Sequence, residues 1–303
     1  MGHHRLPASA AETPASDSHH DKGDAGLLTS DAPVADAFML LATSIAQEAV
    51  RRVRQLEANA DPEVLHKLRV ALRRLRSLWW AYQPLLDSKD ARFQRGEFKS
   101  LADAAGRTRD WDILRGLLDA GPSMENSFAS LIQLVDDHRS DALAFSRRTI
   151  GNAGIEQIVE QALAGARHQL DARPTSLSLG TWAEKRVQSA GKALEKKASR
   201  AASQNESGYA ALHEVRIAGK KLRYLLEFFS PVLDGGHRAT IERLTSVQDD
   251  LGTLNDLVTS ETLLREYSLQ LGEPNLVKEA IGYLQDQKEY YMHEAYEILR
   301  TGW

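Results

Sequence analysis

One stretch of helix-forming sequence occurs twice in the chain, and this constrains the fold more than any other feature. Leu65–Leu86 (LHKLRVALRRLRSLWWAYQPLL) aligns with Leu212–Leu233 (LHEVRIAGKKLRYLLEFFSPVL) at a constant offset of 147, with nine of twenty-two positions identical. Where Arg73 and Arg74 give way to Lys220 and Lys221, the charge is kept. A second block follows at offset 146, in which Leu101–Asp110 (LADAAGRTRD) matches Val247–Asp256 (VQDDLGTLND). Two copies are too few for a stacked array, which needs at least three repeats to bury its faces. They predict instead a duplicated four-helix unit whose halves are related by an approximate two-fold axis.

From Ala35 onward apolar residues recur at three- and four-residue spacing, without a sustained period of two, so the class expected is all-α. Asp61-Pro62 reads as an N-cap followed by proline at the first helical position. Pro84, Gly121-Pro122, Pro174, Pro231, Gly235-Gly236 and Gly272 to Pro274 punctuate the rest. Long helices are predicted over 35–58, 62–83, 89–106, 124–149, 181–203, 209–230, 237–253 and 275–300, and shorter ones over 110–119, 155–170 and 255–270. Residues 1–33, rich in Ala, Ser, Asp, His, Gly and Pro, read as a disordered lead-in. Its pairs His3-His4 and His19-His20 lack the fixed geometry and supporting carboxylates of a metal site. The repeat divides the remainder into 34–171 and 172–303.

Charge is distributed unevenly. The chain carries 38 Lys+Arg against 42 Asp+Glu, a net charge of −4, so it is not basic overall. Yet Pro62 to Leu86 holds five basic residues against one acid, and His237 to the end holds six against twelve. The absence of cysteine excludes disulfides, thiolate metal sites and a cysteine nucleophile, and fits a reducing compartment. The longest apolar stretch, Ala37–Ala46, contains Thr43 and Ser44 and is about half the ~20 residues of a membrane span. The first 33 residues lack the apolar centre of a secretory signal, and Leu6 stands where a myristoylation motif needs Ser or Thr. A soluble, cytoplasmic protein is the expectation.

On a helical wheel the repeated segment shows two faces. Leu65, Leu68, Ala71, Leu72, Leu75, Leu78, Trp79, Tyr82 and Leu86 form a core-facing stripe. His66, Arg69, Arg73 and Arg76 form a separate row at i, i+3, i+7, i+10. The second copy repeats both, with Leu212, Val215, Ala218, Leu222, Leu225, Leu226 and Phe229 inward and His213, Arg216, Lys220 and Arg223 in the row. Each row extends about 15 Å at 1.5 Å per residue. A solvated face normally mixes signs, because like charges at i, i+4 oppose the helix. Here Arg69/Arg73 and Arg216/Lys220 repeat the unfavourable arrangement, with histidine at the head each time. Stability does not explain this, whereas a bound anion would, since guanidinium forks and ammonium charges suit phosphate oxygens.

A linear row suits an extended polyanion better than one compact phosphate. No GxxxxGK[ST] loop is present, so nucleotide binding of that kind is not supported. Nucleic acid remains possible on charge, but no aromatics interleave with the rows for base stacking. Trp79, Trp80, Tyr82, Phe228 and Phe229 sit at the C-terminal ends of the repeated segments, where packing is the expected role. Nothing in the sequence asks for a cofactor or a metal.

The repeated LHxxRxxxxxLR helices, each ending before a proline, and the GxxRD block at Gly106–Asp110 resemble the CHAD family, the conserved-histidine α-helical domain. The resemblance covers both halves from about Ala35. It implies two pseudo-symmetric four-helix bundles around a basic central groove or pore, binding of inorganic polyphosphate, and association with polyphosphate granules. Carried over by position, it implies that His66, Arg69, Arg73, Arg76, His213, Arg216, Lys220 and Arg223 face the anion, with Arg74 and Lys221 beside them. Arg109 matches the family's RD block, whereas the second copy has Asn255-Asp256, which implies an asymmetric site. Arg51, Arg52, Arg54, Lys192, Lys196 and Lys197 form a second tier. The ExExK signature of the CYTH triphosphatase often fused to this family is absent.

Three functions follow from these residues: a non-catalytic polyphosphate-binding module, a metal-dependent phosphohydrolase acting on polyphosphate, and a nucleic-acid-binding scaffold. The repeated Asp103/Asp249 and Asp110/Asp256 could serve hydrolysis, but caps or internal ion pairs to the basic rows are the preferred reading. No nucleophile accompanies either histidine, so the binding module is the expectation. Neighbouring cations should keep His66 and His213 neutral near pH 7, and a bound polyanion should reverse that field.

Overall fold

The computed structural model describes residues 28–58, 61–121, 128–203, 208–233 and 238–301. Among these the chain forms nine α-helices and no strand: α1 Val34–Ala58, α2 Pro62–Ala81, α3 Ser88–Asp119, α4 Ala129–Gly151, α5 Ile155–Ala172, α6 Leu179–Ser203, α7 Tyr209–Phe229, α8 Arg238–Glu266 and α9 Pro274–Thr301. A 3-10 turn, Gln83–Leu85, follows α2. The start of α2 is the expected one, with Pro62 in the first turn and the Asp61 carboxylate accepting from the Glu63 amide at 2.9 Å. Asp87 caps α3 in the same manner, accepting from the amides of Lys89 and Asp90. Gly154 precedes α5 at φ 63°, in the left-handed region that favours glycine. None of these helices is long and apolar enough to cross a membrane.

Two sequence boundaries are corrected. The segments 89–106 and 110–119 are one continuous helix, α3, and 237–253 and 255–270 are likewise one helix, α8, which ends at Glu266. Gly106, the last residue of the expected 89–106 segment, and Gly252, next to the end of 237–253, lie inside these helices and are buried. A glycine costs a helix interior only about 1 kcal/mol, so a close neighbour can make it worth keeping. The mid-chain helix α5 is a full 18 residues. The disordered lead-in does not extend to residue 33. Leu28 is buried, and the carbonyls of Ser30 and Ala32 accept from the amides of Gly180 and Leu179. The segment thereby satisfies amide donors that the first turn of α6 leaves open. Residues 1–27, with their histidine pairs, lie outside the described residues, as do Gly235-Gly236 and 122–127.

Packing follows the repeat. Helix α1 packs on α2 and α4, α2 on α3, and α3 on α4; in parallel, α6 packs on α7 and α9, α7 on α8, and α8 on α9. Helix α5 runs along α1, and the two sets meet where α2 crosses α7, α3 crosses α8 and α1 touches α6. Every residue of the expected core stripes is buried, from Leu65 to Leu86 and from Leu212 to Phe229. At the meeting of the sets, Tyr82 faces Trp182 with ring centroids 4.3 Å apart and Phe229 at 6.2 Å. Tyr82 and Phe229 are repeat-equivalent positions. Glu261 of α8 ties α9 in place, receiving Lys288 Nζ at 2.7 Å and Gln285 Nε2 at 2.9 Å, with Arg265 of its own helix at 2.8 Å. Burial opposes its charge, but these donors outweigh burial and hold its carboxyl at about 2.

Candidate functional site

Helix α2 carries His66, Arg69, Arg73, Arg74 and Arg76, and α7 carries His213, Arg216, Lys220, Lys221 and Arg223. Because α2 crosses α7, the two rows converge. Burial, and then the charges of Arg73, Arg216, Arg223 and Arg69, press the Lys220 ammonium well below its ordinary range. Burial also lowers the Arg216 guanidinium, with Arg73 and Arg69 acting in the same direction and Asp256 and Tyr209 against. Lys220 and Arg223 are only 9% and 7% exposed. A solvated helix face does not bury two cations, so that reading of the rows fails for these residues. Arg223 is paired with Glu227 one turn on, at 3.2 Å.

The second repeated block explains itself from the same place. A Cβ on Gly106 would lie 2.8 Å from Arg69 Nε and 3.1 Å from its Cδ, so the guanidinium of α2 rests on the bare backbone of α3. One turn further along α3, Arg109 and Asp110 flank it. Burial raises the Asp110 carboxyl, Arg69 and Arg109 oppose that, and Asp256 and Asp103 reinforce it. Asp110 and Asp256 are repeat equivalents that influence each other where α3 crosses α8. Asp110 thus serves as an acid facing the basic row. Asp103 diverges, being exposed and bridged to Lys99 at 2.5 Å. Its equivalent Asp249 faces Arg223.

The remaining expected cations fall into a neighbouring group. Burial lowers Lys221, and Arg95, Lys197 and Arg76 push it further, against Glu214. Arg95 is itself lowered by burial and by Arg76. Arg74 lies over the Phe228 ring at 5.9 Å. Trp80, for which packing was expected, is half-buried against the core and carries Arg186 and Lys221, each 5.1 Å from its ring centroid. Arg95 and Arg186 escaped the sequence reading because neither lies in the repeated segments. The basic character of early α3 (Lys89, Arg92, Arg95) was the available signal for Arg95. Of the second tier, only Lys197 reaches the Lys221 group. Arg51 and Arg52 pair with Glu48, and Arg54 with Glu156 of α5. Lys197 bridges Glu214, while Lys192 and Lys196 are exposed.

The histidines differ in their surroundings. His66 is lowered by burial, then by Arg109, Arg69 and Lys67 against Glu63, and its Nδ1 is buried without a hydrogen-bond partner. His213 is lowered by burial, then by Arg216 and Lys220 against Glu214, and its Nδ1 lies 3.1 Å from the Tyr209 hydroxyl. Tyr209 in turn donates to Asn255 Oδ1 at 3.1 Å. Among the described residues no group of three or more His, Asp or Glu is placed to hold a metal ion.

The arrangement has relatives. The CHAD domain family model matches residues 44–265. The crystal structure of the CHAD domain from the plant Ricinus communis superposes with a TM-score of 0.75 and 25% identity, covering 88% of this chain and 93% of that one. PptA from Streptomyces chartreusis shares the fold at a TM-score of 0.59 and 19% identity, covering 89% of this chain and 98% of that one. No curated protein matches the chain. Since the family model spans most of the sequence and the plant domain superposes over nearly its whole length, this chain belongs to the CHAD domain family.

Proposed function

We propose that the chain is a non-catalytic binding module for inorganic polyphosphate, a long linear polyanion, held between the α2 and α7 rows. In this reading the two helix sets are four-helix bundles produced by duplication. Two pairs of repeat-equivalent neighbours, Tyr82 with Phe229 and Asp110 with Asp256, support a pseudo-two-fold axis between them. The rows then line a basic groove near that axis. His66, Arg69, Arg73, Arg76, Arg109, His213, Arg216, Lys220 and Arg223 bind the chain of phosphates, and Arg74 and Lys221 extend it. Cytoplasmic polyphosphate granules are the location this function suggests.

One observation carries the reading. The Lys220 ammonium is buried among four guanidinium groups from both copies of the repeat, at a cost to its own charge. A polyanion adds negative field beyond that of Asp110, Asp256 and Glu227, and a strand with one charge per phosphate matches two 15 Å rows better than a single phosphate does. Titration with polyphosphates of defined length, with RNA and DNA as competitors, tests the proposal. Tight, length-dependent binding that nucleic acid fails to displace supports it. Displacement by RNA or DNA at equal charge favours the scaffold instead, and release of orthophosphate with a divalent metal favours the hydrolase.

A further inference from the structure

The two repeat-equivalent histidines are held in opposite ways, and the difference bears on how each meets an anion. Tyr209 has one hydroxyl proton. It is given to Asn255 Oδ1, so the 3.1 Å contact to His213 Nδ1 requires the ring nitrogen to donate. Nδ1 therefore carries the proton, and in the neutral ring Nε2 is left with only a lone pair. His66 has no such brace. Position 62, the equivalent of Tyr209, is proline, and position 109, the equivalent of Asn255, is arginine. Its Nδ1 is buried and unpartnered, and a buried N–H left unmet is tolerated less often than an unmet lone pair. The neutral ring then keeps its proton on Nε2.

We propose that Tyr209 and Asn255 are positioning residues that fix His213 as the Nδ1–H tautomer, so that His66 meets the polyanion as a neutral donor while His213 can do so only after taking up a proton. This rests on the polyphosphate reading for the identity of the anion, but the tautomers belong to the free protein. Burial and the neighbouring cations favour the neutral ring at both positions in the free protein, and outweigh Glu214 at His213 and Glu63 at His66. The groups facing each ring are Arg216, Lys220 and the opposing Glu214 from α7 with the Tyr209 hydroxyl for His213, and Arg109, Arg69, Lys67 and the opposing Glu63 for His66. Binding should consequently take up close to one proton per chain, and affinity should tighten by up to about tenfold per pH unit on acidification, the slope of a single linked proton.

Nitrogen-detected NMR of the free full-length chain at pH 8 reads the tautomers directly. Nδ1–H at His213 and Nε2–H at His66 are expected, with the His213 assignment lost in Tyr209→Phe. The opposite orientation of Asn255, donating to Tyr209 while Tyr209 donates to His213, would give Nε2–H at His213 and overturn the proposal, as would identical tautomers at both histidines. Polyphosphate titrations between pH 6 and 8 supply the second measurement. His213→Gln should flatten the pH response, whereas His66→Gln should weaken binding and leave the slope intact. A slope carried by His66 also overturns the proposal. Complete failure to bind polyphosphate would sink the assigned ligand while leaving the tautomer result standing.

Discussion

Arg69 on α2 occupies the space that a side chain at Gly106 on α3 would fill, its Nε 2.8 Å from where that Cβ would be. In the first half of the chain the first repeated block supplies the cation and the second supplies the gap, which ties the two blocks together. The glycine is a seat for the guanidinium, not a helix stop.

Replacement Gly106→Ala should therefore separate stability from binding. Alanine gains up to about 1 kcal/mol of helix propensity over glycine, and the obstructed atoms are in a long, adjustable side chain. Thermal stability should change little. Arg69 must leave its seat, and losing a charge-assisted contact of about 1.5 kcal/mol should weaken polyphosphate binding roughly tenfold. Parallel melting curves and titrations check this. Equal affinity in the variant would show that the position of Arg69 is immaterial to the ligand.

The same interface is solved differently in the second half. Gly219 stands where the first half has Leu72, and Gln248 where it has Ala102, so a large–small pair becomes a small–large one. A Cβ at Gly219 would lie 2.2 Å from Gln248 Nε2, which donates to the Arg216 carbonyl at 3.3 Å from a buried position. Gly219→Ala should destabilise by about 1–3 kcal/mol through overpacking. Adding Gln248→Ala should restore most of that loss in chemical denaturation, by coupling between the two sites. A double variant no more stable than the single one would refute the compensation.

Much of this was legible in the sequence because it repeats. The core stripes, the two cation rows and the Asp61-Pro62 helix start were all readable from spacing alone. What escaped has a common cause: it depends on what crosses from another helix. The helix expected to end at Gly106 runs on through α3, and only Arg69 lying against that glycine gives it a reason to be there. Trp80 packs against the core as expected, but the cations Arg186 and Lys221 on its ring come from other helices. Arg95 and Arg186 lie outside the repeat, and only the tertiary fold brings them to Arg76 and Trp80. By contrast, the acids facing the rows, Asp110 and Asp256, come from α3 and α8 and were legible as ion-pair partners of the rows because the second block repeats them.

Tyr82 provides a test in the core that is independent of any ligand. It is fully buried, and its hydroxyl has no hydrogen-bond partner. Its repeat equivalent is already phenylalanine, Phe229, which is equally buried. Tyr82→Phe should raise stability by about 1 kcal/mol, because it removes an unmet polar atom and keeps the ring contacts. A loss measured by denaturant unfolding would mean that the hydroxyl has a partner after all.

Salt dependence tests whether the rows act together. If about eight phosphate charges are neutralised, a flexible single chain at roughly 0.7 per contact gives a log–log slope near −6. Arg69→Gln with Arg73→Gln, and Arg216→Gln with Lys220→Gln, should each reduce the slope by about 1.4, at the same coefficient of roughly 0.7 per lost contact. A wild-type slope near −1, or an effect confined to one half, would contradict a ligand shared between the two copies.

Lys220 links the site to stability through pH, and the sign follows from its depressed ammonium. In the folded chain Lys220 gives up its proton at a lower pH than in the unfolded chain, where it titrates near 10.4. Between those two values the unfolded state holds more protons, so stability rises with pH across that window. Below the folded value both states are charged, and the full cost of burying the ammonium beside Arg73 and Arg216 is present. Lys220→Met removes the charge and keeps most of the side-chain volume. Its advantage over wild type should be on the order of 1 kcal/mol at pH 7 and shrink toward zero as the pH approaches 10. The same variant should bind polyphosphate more weakly at neutral pH, because the ligand stabilises the ammonium that the free protein disfavours. Unfolding curves for both proteins at pH 6 to 10, with and without polyphosphate, measure the two effects together. A constant stability difference across that range would show that Lys220 carries no such burden in the free chain.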